Sequence, residues 1–189
     1  MLRSRFFGRS KSAAPAARIY AAIVTQARRP EFYRELQIPD TLDGRFEMIA
    51  LHAFLVLNRL KGQGSEADAV AQAVFDVMFD DMDRSLREMG VGDLAVGRRV
   101  RAMAEGFYGR IAAYDKGLVE GHAALGEAIA RNAYGTRRAP ETPASEAAIA
   151  AMAAYLQASQ ACLSVCSIAE IVAAGPPFPD PSAPDASSL

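Results

Sequence analysis

Apolar residues recur three and four positions apart along most of the chain, and no stretch alternates with the two-residue period of a strand. The cleanest stripe is Phe46, Ile49, Ala50, Ala53, Phe54, Leu57 and Leu60. It predicts a helix from Asp43, closed by Gly62-Gln63-Gly64. Ahead of it, Ile19, Tyr20, Ile23 and Val24 mark a helix over about 13–28. Pro30 opens a short helix over 31–36, and Ile38-Pro39-Asp40 is a turn. Behind the central stripe, Ser65 is an N-cap with Asp68 in the first turn. That helix buries Val70, Val74, Val77, Met78, Met82 and Leu86 and stops at Gly90. Asp93 caps the next, with Leu94, Val100, Met103, Phe107, Ile111 and Tyr114 as its inward face. A shorter helix over 122–134 ends at Gly135, and 136–143 reads as a loop. Ser145-Glu146 then opens an Ala-rich helix to about 174, ended by Gly175-Pro176-Pro177.

The pattern predicts an all-α protein: a single domain of six or seven helices over 13–174. Its flanks, a basic lead (1–12) and a Pro-rich tail (175–189), read as disordered because neither can bury a core.

Composition narrows the function classes. Apolar residues at 51% and charged residues at 23% of 189 exclude a wholly disordered chain. A net charge of −1 excludes a strongly basic nucleic-acid binder, and no DNA partner is expected. The charge is unevenly spread. Residues 1–29 hold seven basic groups and no acid, which leaves 14 basic against 22 acidic groups in the remainder. Arg3, Arg5, Arg9 and Lys11 are therefore candidates for contact with an anionic membrane surface or with RNA. The same charges leave no continuous apolar run for a secretory signal. The run Met48–Leu57 is too short to span a bilayer. Residues 147–169 carry no formal charge, but nine of these 23 are Ala and several are Ser or Gln, so they read as a helix packed in protein.

Candidate chemistry is sparse. The histidines, His52 and His122, stand in neither His-Glu-x-x-His nor Glu-x-x-His spacing. His52 lies in an apolar segment and reads as a hydrogen-bonded core or groove residue. Asp76 and Asp80 share a helix face, like the paired aspartates with which helical prenyl-transferring enzymes hold magnesium diphosphate. No second such pair occurs. A magnesium-dependent isoprenoid-diphosphate enzyme or binding protein is thus the alternative reading, behind a solvated acidic face. Cys162 and Cys166 supply two ligands where a metal site needs four, and read as packed thiols in a reducing compartment. Arg98, Arg99 and Arg101, with Arg110 further on, form a modest basic patch. No catalytic residue, metal site or cofactor is expected, which leaves binding to macromolecules.

Eight short motifs carry a resemblance. They are Phe32-Tyr33, Ile38-Pro39-Asp40-Thr41, Leu51-His52, Arg59-Leu60, Phe79-Asp80-Asp81-Met82, Met89-Gly90-Val91-Gly92, Phe107-Tyr108-Gly109 and Tyr114-Asp115-Lys116-Gly117. In this order, over about 30–135, they resemble the ubiquinol–cytochrome c chaperone family. The resemblance implies an assembly factor and not an enzyme. Such a factor binds newly made, immature cytochrome b and promotes assembly of the ubiquinol:cytochrome c oxidoreductase (complex III). It implies a place peripheral to the inner membrane, on the cytoplasmic side of a bacterium or the matrix side of a mitochondrion. A small assembly partner or the ribosome are further implied contacts. A client groove is expected near 45–59 and 76–83, with Phe107, Tyr108 and Tyr114 as aromatic anchors. The client-binding candidates are Arg45, His52, Arg59, Asp80, Asp81, Tyr108, Tyr114 and Asp115.

Overall fold

In the computed structural model of the chain, residues 4–135 and 144–182 are described, with side chains from residue 11 onward. Among them are eight α-helices and no strand: α1 (Ser4–Ala27), α2 (Pro30–Arg34), α3 (Leu42–Leu60), α4 (Ser65–Glu88), α5 (Asp93–Glu120), α6 (His122–Ile129), α7 (Glu146–Val165) and α8 (Ile168–Ala174). A π-helical turn, Ala130–Tyr134, continues α6. The starts follow local chemistry. The Thr41 hydroxyl accepts from the Gly44 amide and the Ser145 hydroxyl from the Ala148 amide, and Pro30 occupies the first turn of α2. Gly44 is required there, because a Cβ would collide with the Pro39 carbonyl oxygen.

The apolar stripe of α3 makes it the central helix. Phe46 and Met48 through Val56 are all buried, and α1, α4, α5, α7 and the π-helical turn pack around them. Burial of this kind contributes roughly 25 cal/mol for each Å² of apolar surface removed from water, which outweighs the weak helix propensity of any one segment. α5 and α6 form a tight antiparallel pair. They cross where Gly117 faces Leu125, and a Cβ on Gly117 would lie 2.8 Å from the Leu125 Cα. α7 is long and apolar enough to cross a membrane by length and composition. Here it packs as a core helix, with Met152, Tyr155, Leu156 and Leu163 buried against α3 and α6.

The described residues differ from the expected pattern at four points. The first helix begins at Ser4, inside the stretch read as a disordered lead. The Ala-rich helix is not continuous to 174. Cys166 is extended (ψ 137°), and Ser167 with Glu170 forms a reciprocal capping box that starts α8. Leu94, expected inward, is 89% exposed, and Val96 takes the buried place. Finally, the Pro-rich tail is docked from Gly175 to Ser182. The Phe178 ring meets His52 edge-on at 4.9 Å, the Pro179 carbonyl accepts from Gln26 at 2.9 Å, and Asp180 pairs with Arg29 at 2.9 Å. One aromatic anchor and two polar contacts offset the ordering cost that composition alone made prohibitive. The expected loop 136–143 and the tail beyond Ser182 lie outside the described residues.

Candidate binding groove

α3, α4 and α5 do not close on one another along their whole length. Between them lies an open groove of about 910 Å³. Phe46 and Ile49 of α3, Met82 and Leu86 of α4 and Met103 of α5 line its floor, and Leu42 and Met89 stand at its lips, each about half exposed. Three of these seven are methionines, whose flexible, polarizable side chains adapt to irregular apolar partners. Arg28, Arg45 and Arg99 line the groove together with Asp43, Asp81 and Glu88.

The deepest polar feature is an ion pair. Arg110 of α5 donates through Nε to the Glu47 carboxylate at 2.5 Å, and through Nη2 to its other oxygen. The Glu47 side chain is 1% exposed and that of Arg110 22%. Gly106, one turn earlier, leaves the space that the Arg110 guanidinium fills. Burial pushes the Glu47 carboxyl above its ordinary value, and Arg110 offsets this only in part. Two rim charges are also fixed. Asp81 accepts from the Tyr20 hydroxyl at 2.8 Å, and Arg45 pairs with Asp40 at 2.6 Å while lying over the Tyr33 ring. Burial and the Asp81 contact hold the Tyr20 phenol well above its usual range.

The residues singled out from the sequence do not form one site. Arg45 and Asp81 meet at the groove. Tyr108, 61% exposed, and Asp115 line a smaller depression of about 260 Å³ with Phe54, Phe75 and Phe107. Asp80 is exposed in a third place, beside Asp83, Arg84 and Arg87. Arg59 caps a helix end, donating to the carbonyls of Leu163 (2.9 Å) and Cys166 (2.7 Å).

His52 and Tyr114 are corrected as contact residues, since both are wholly buried. The His52 Nδ1–H donates to the Met48 carbonyl (2.7 Å) and Nε2 accepts from the Tyr155 hydroxyl (2.7 Å), which in turn accepts from Gln26 (2.9 Å). Burial pushes the His52 pKa down to about 4. Tyr114 packs at a tilt against Phe54 in the core. Turning the neighbouring Asn132 amide would let its oxygen accept from the Tyr114 hydroxyl. Lys11 is exposed on α1, while Arg3 and the side chains of Arg5 and Arg9 lie outside the described residues.

Sequence reasoning missed Leu42, Met89 and Met103 as groove residues; Met82, read as core, is buried and also lines the groove floor. The available signal was methionine spacing: Met82 on α4 and Met89 at its C-terminal cap are one heptad apart, a position pair that either a core or an adaptable surface uses.

The profile of the Ubiquinol-cytochrome C chaperone family matches residues 34–178, from the end of α2 to the docked Phe178. The chain belongs to this family. The matched span contains the groove on all three of its helices, apart from Arg28 at its rim. The crystal structure of the Cbp3 homolog from Brucella abortus is similar over 96% of this chain and 98% of that one, at 35% identity and a TM-score of 0.79. Ubiquinol-cytochrome-c reductase complex assembly factor 1 of Xenopus laevis is 29% identical over 117 residues, and that of Homo sapiens 28% over 116. These matches cover about 60% of this chain, but 58% of the frog protein and 39% of the human one.

Proposed function

We propose that this family member is an assembly chaperone of complex III. It binds newly made cytochrome b and holds an apolar helical segment of it in the groove between α3, α4 and α5. The observation that carries the reading is the coincidence of the family match over 34–178 with an open, methionine-lined groove inside that span. Amphipathic and apolar helices dock in grooves of this kind through anchors one turn apart, and charges at the rim fix their orientation. An unassembled membrane subunit exposes such helix faces until its partners arrive. Binding and release of a client need no bond chemistry. The proposed place of action is peripheral to the membrane where cytochrome b is inserted, on its cytoplasmic or matrix face.

No observation favours the isoprenoid alternative. Asp76 accepts from Gln72 at 2.8 Å, and among the described residues no three His, Cys, Asp or Glu side chains gather as a metal site would require.

The test is a photo-crosslinking amino acid placed at Met103 in the groove, and separately at exposed Val165 on α7, in cells making complex III. Mass spectrometry of the adducts should find cytochrome b from Met103 and not from Val165. Absence of cytochrome b from the Met103 adducts, or equal yields from both positions, would overturn the assignment.

A further inference from the structure

The turn joining α4 to α5 and the start of α5 carry a patch of exposed apolar and basic side chains, of which the groove uses only Met89, at its lip, and Arg99. Leu94 is 89% exposed and Met89 50%, the first of these being among the most exposed large apolar side chains described. From Leu94 to Ala104 the chain carries three arginines, Arg98, Arg99 and Arg101, and no acid. Val96 and Phe107 set the inward direction of α5. Leu94, Arg98 and Arg101, spaced four and three apart, therefore share the outward stripe, while Arg99 turns toward the groove. Four acids lie nearby, and one of them, exposed Glu105, follows one turn beyond Arg101 on the same stripe. Asp83 and Asp93 are both held by Arg87, and Glu88 stands on the groove rim. Arg98 and Arg101 make no ion pair among the described residues.

We propose that this patch, Met89, Leu94, Arg98 and Arg101, is a contact surface for a bilayer bearing anionic headgroups. Exposed leucine and methionine gain by entering the headgroup boundary, and arginines beside them gain from negative lipid. RNA would use the arginines but not the aliphatic side chains, and the patch carries no aromatic ring on which a base would stack. Contact here would set the end of the groove, which Met89 and Arg99 line, against the membrane surface. The contact does not depend on the basic lead and does not depend on the groove's occupant, so it stands or falls apart from the proposed function.

The test is flotation of the purified full chain with phosphatidylcholine vesicles, with and without phosphatidylglycerol. Three variants are compared: Leu94→Ser, the pair Arg98→Ser and Arg101→Ser, and the lead triple Arg3→Ser, Arg5→Ser and Arg9→Ser. All substituted patch residues are exposed, and circular dichroism checks that each protein stays folded. The wild type should bind only vesicles containing phosphatidylglycerol, and less as salt is raised. The arginine pair should lose on the order of 30-fold in partitioning, the product of two basic contributions, and Leu94→Ser should lose about 10-fold. Retention of wild-type binding by the patch variants, with loss only in the lead triple, would overturn the proposal. So would equal binding to neutral vesicles, absence of vesicle binding, or binding of single-stranded RNA in place of lipid.

Discussion

Removing Arg110 isolates the groove's buried charge. With Arg110→Met, the Glu47 carboxylate stays at 1% exposure but loses both of its guanidinium hydrogen bonds. Breaking one side of a buried pair typically costs about 3–5 kcal/mol, because the remaining ion is neither hydrated nor neutralised. For a domain of this size that is a fall in Tm of roughly 6–20 °C, at about 2–4 °C per kcal/mol. The pH dependence gives a second handle. Burial already raises the Glu47 pKa, and without Arg110 nothing offsets it. A carboxyl whose folded pKa lies above its unfolded value binds its proton more tightly in the native state. Its stabilising contribution is present below the unfolded pKa and is lost as pH rises through the folded one. The deficit of Arg110→Met should therefore be largest at pH 7 and shrink toward pH 5. Replacing both partners, Glu47→Leu with Arg110→Met, should recover most of the loss at pH 7 and show no such slope. Urea denaturation of the wild type, Arg110→Met, Glu47→Leu and the double variant at the two pH values measures all of this as a double-mutant cycle. A loss below about 1 kcal/mol for Arg110→Met, or a deficit that widens on acidification, would show that Glu47 is hydrated and refute the reasoning.

Three other outcomes follow from the packing. His52, with a folded pKa of about 4 against an ordinary 6.5, takes up its proton only on unfolding between those values, so stability falls by about 3 kcal/mol as pH drops from 6.5 to 4. His52→Gln should flatten that limb in denaturation curves. Gly117→Ala must push Leu125 away and should cost about 1–3 kcal/mol by chemical denaturation, with α5 and α6 losing amide protection first. Arg59→Met frees the carbonyls of Leu163 and Cys166 and should cost about 1–3 kcal/mol, seen as faster hydrogen exchange at the end of α7 and the start of α8.

The all-α class, the central stripe of α3, the cap at Ser145 and the stop at Gly90 were legible because each depends on residues within one or two turns of each other. The caps expected at Ser65 and Asp93 are corrected: both are first helical residues behind Gly64 and Gly92, and neither helix has a side-chain cap bond. The family resemblance was legible for a related reason: its motifs are contiguous pieces of chain, and the profile match covers all eight save the first, Phe32-Tyr33. The roles of single residues were not legible. Arg59 and Arg45 look alike in sequence, yet one is spent on carbonyls a hundred residues away and the other faces the groove rim. Tyr108 and Tyr114 sit six apart on α5, and a rotation of 600° along the helix puts one in solvent and the other in the core.

Local order thus determined the helical class, several helix ends and the apolar stripe of α3, since periodicity and capping are short-range. It missed the break between α7 and α8 and the turn of Leu94 to solvent. Only the tertiary structure decided where the apolar stripes fail to meet. The groove exists because α3, α4 and α5 leave apolar side chains uncovered between them, which no single helix encodes. The docking of Phe178 on His52 likewise joins residues 126 positions apart. A composition rule that counts prolines cannot foresee it, because the free energy comes from the surface already waiting there.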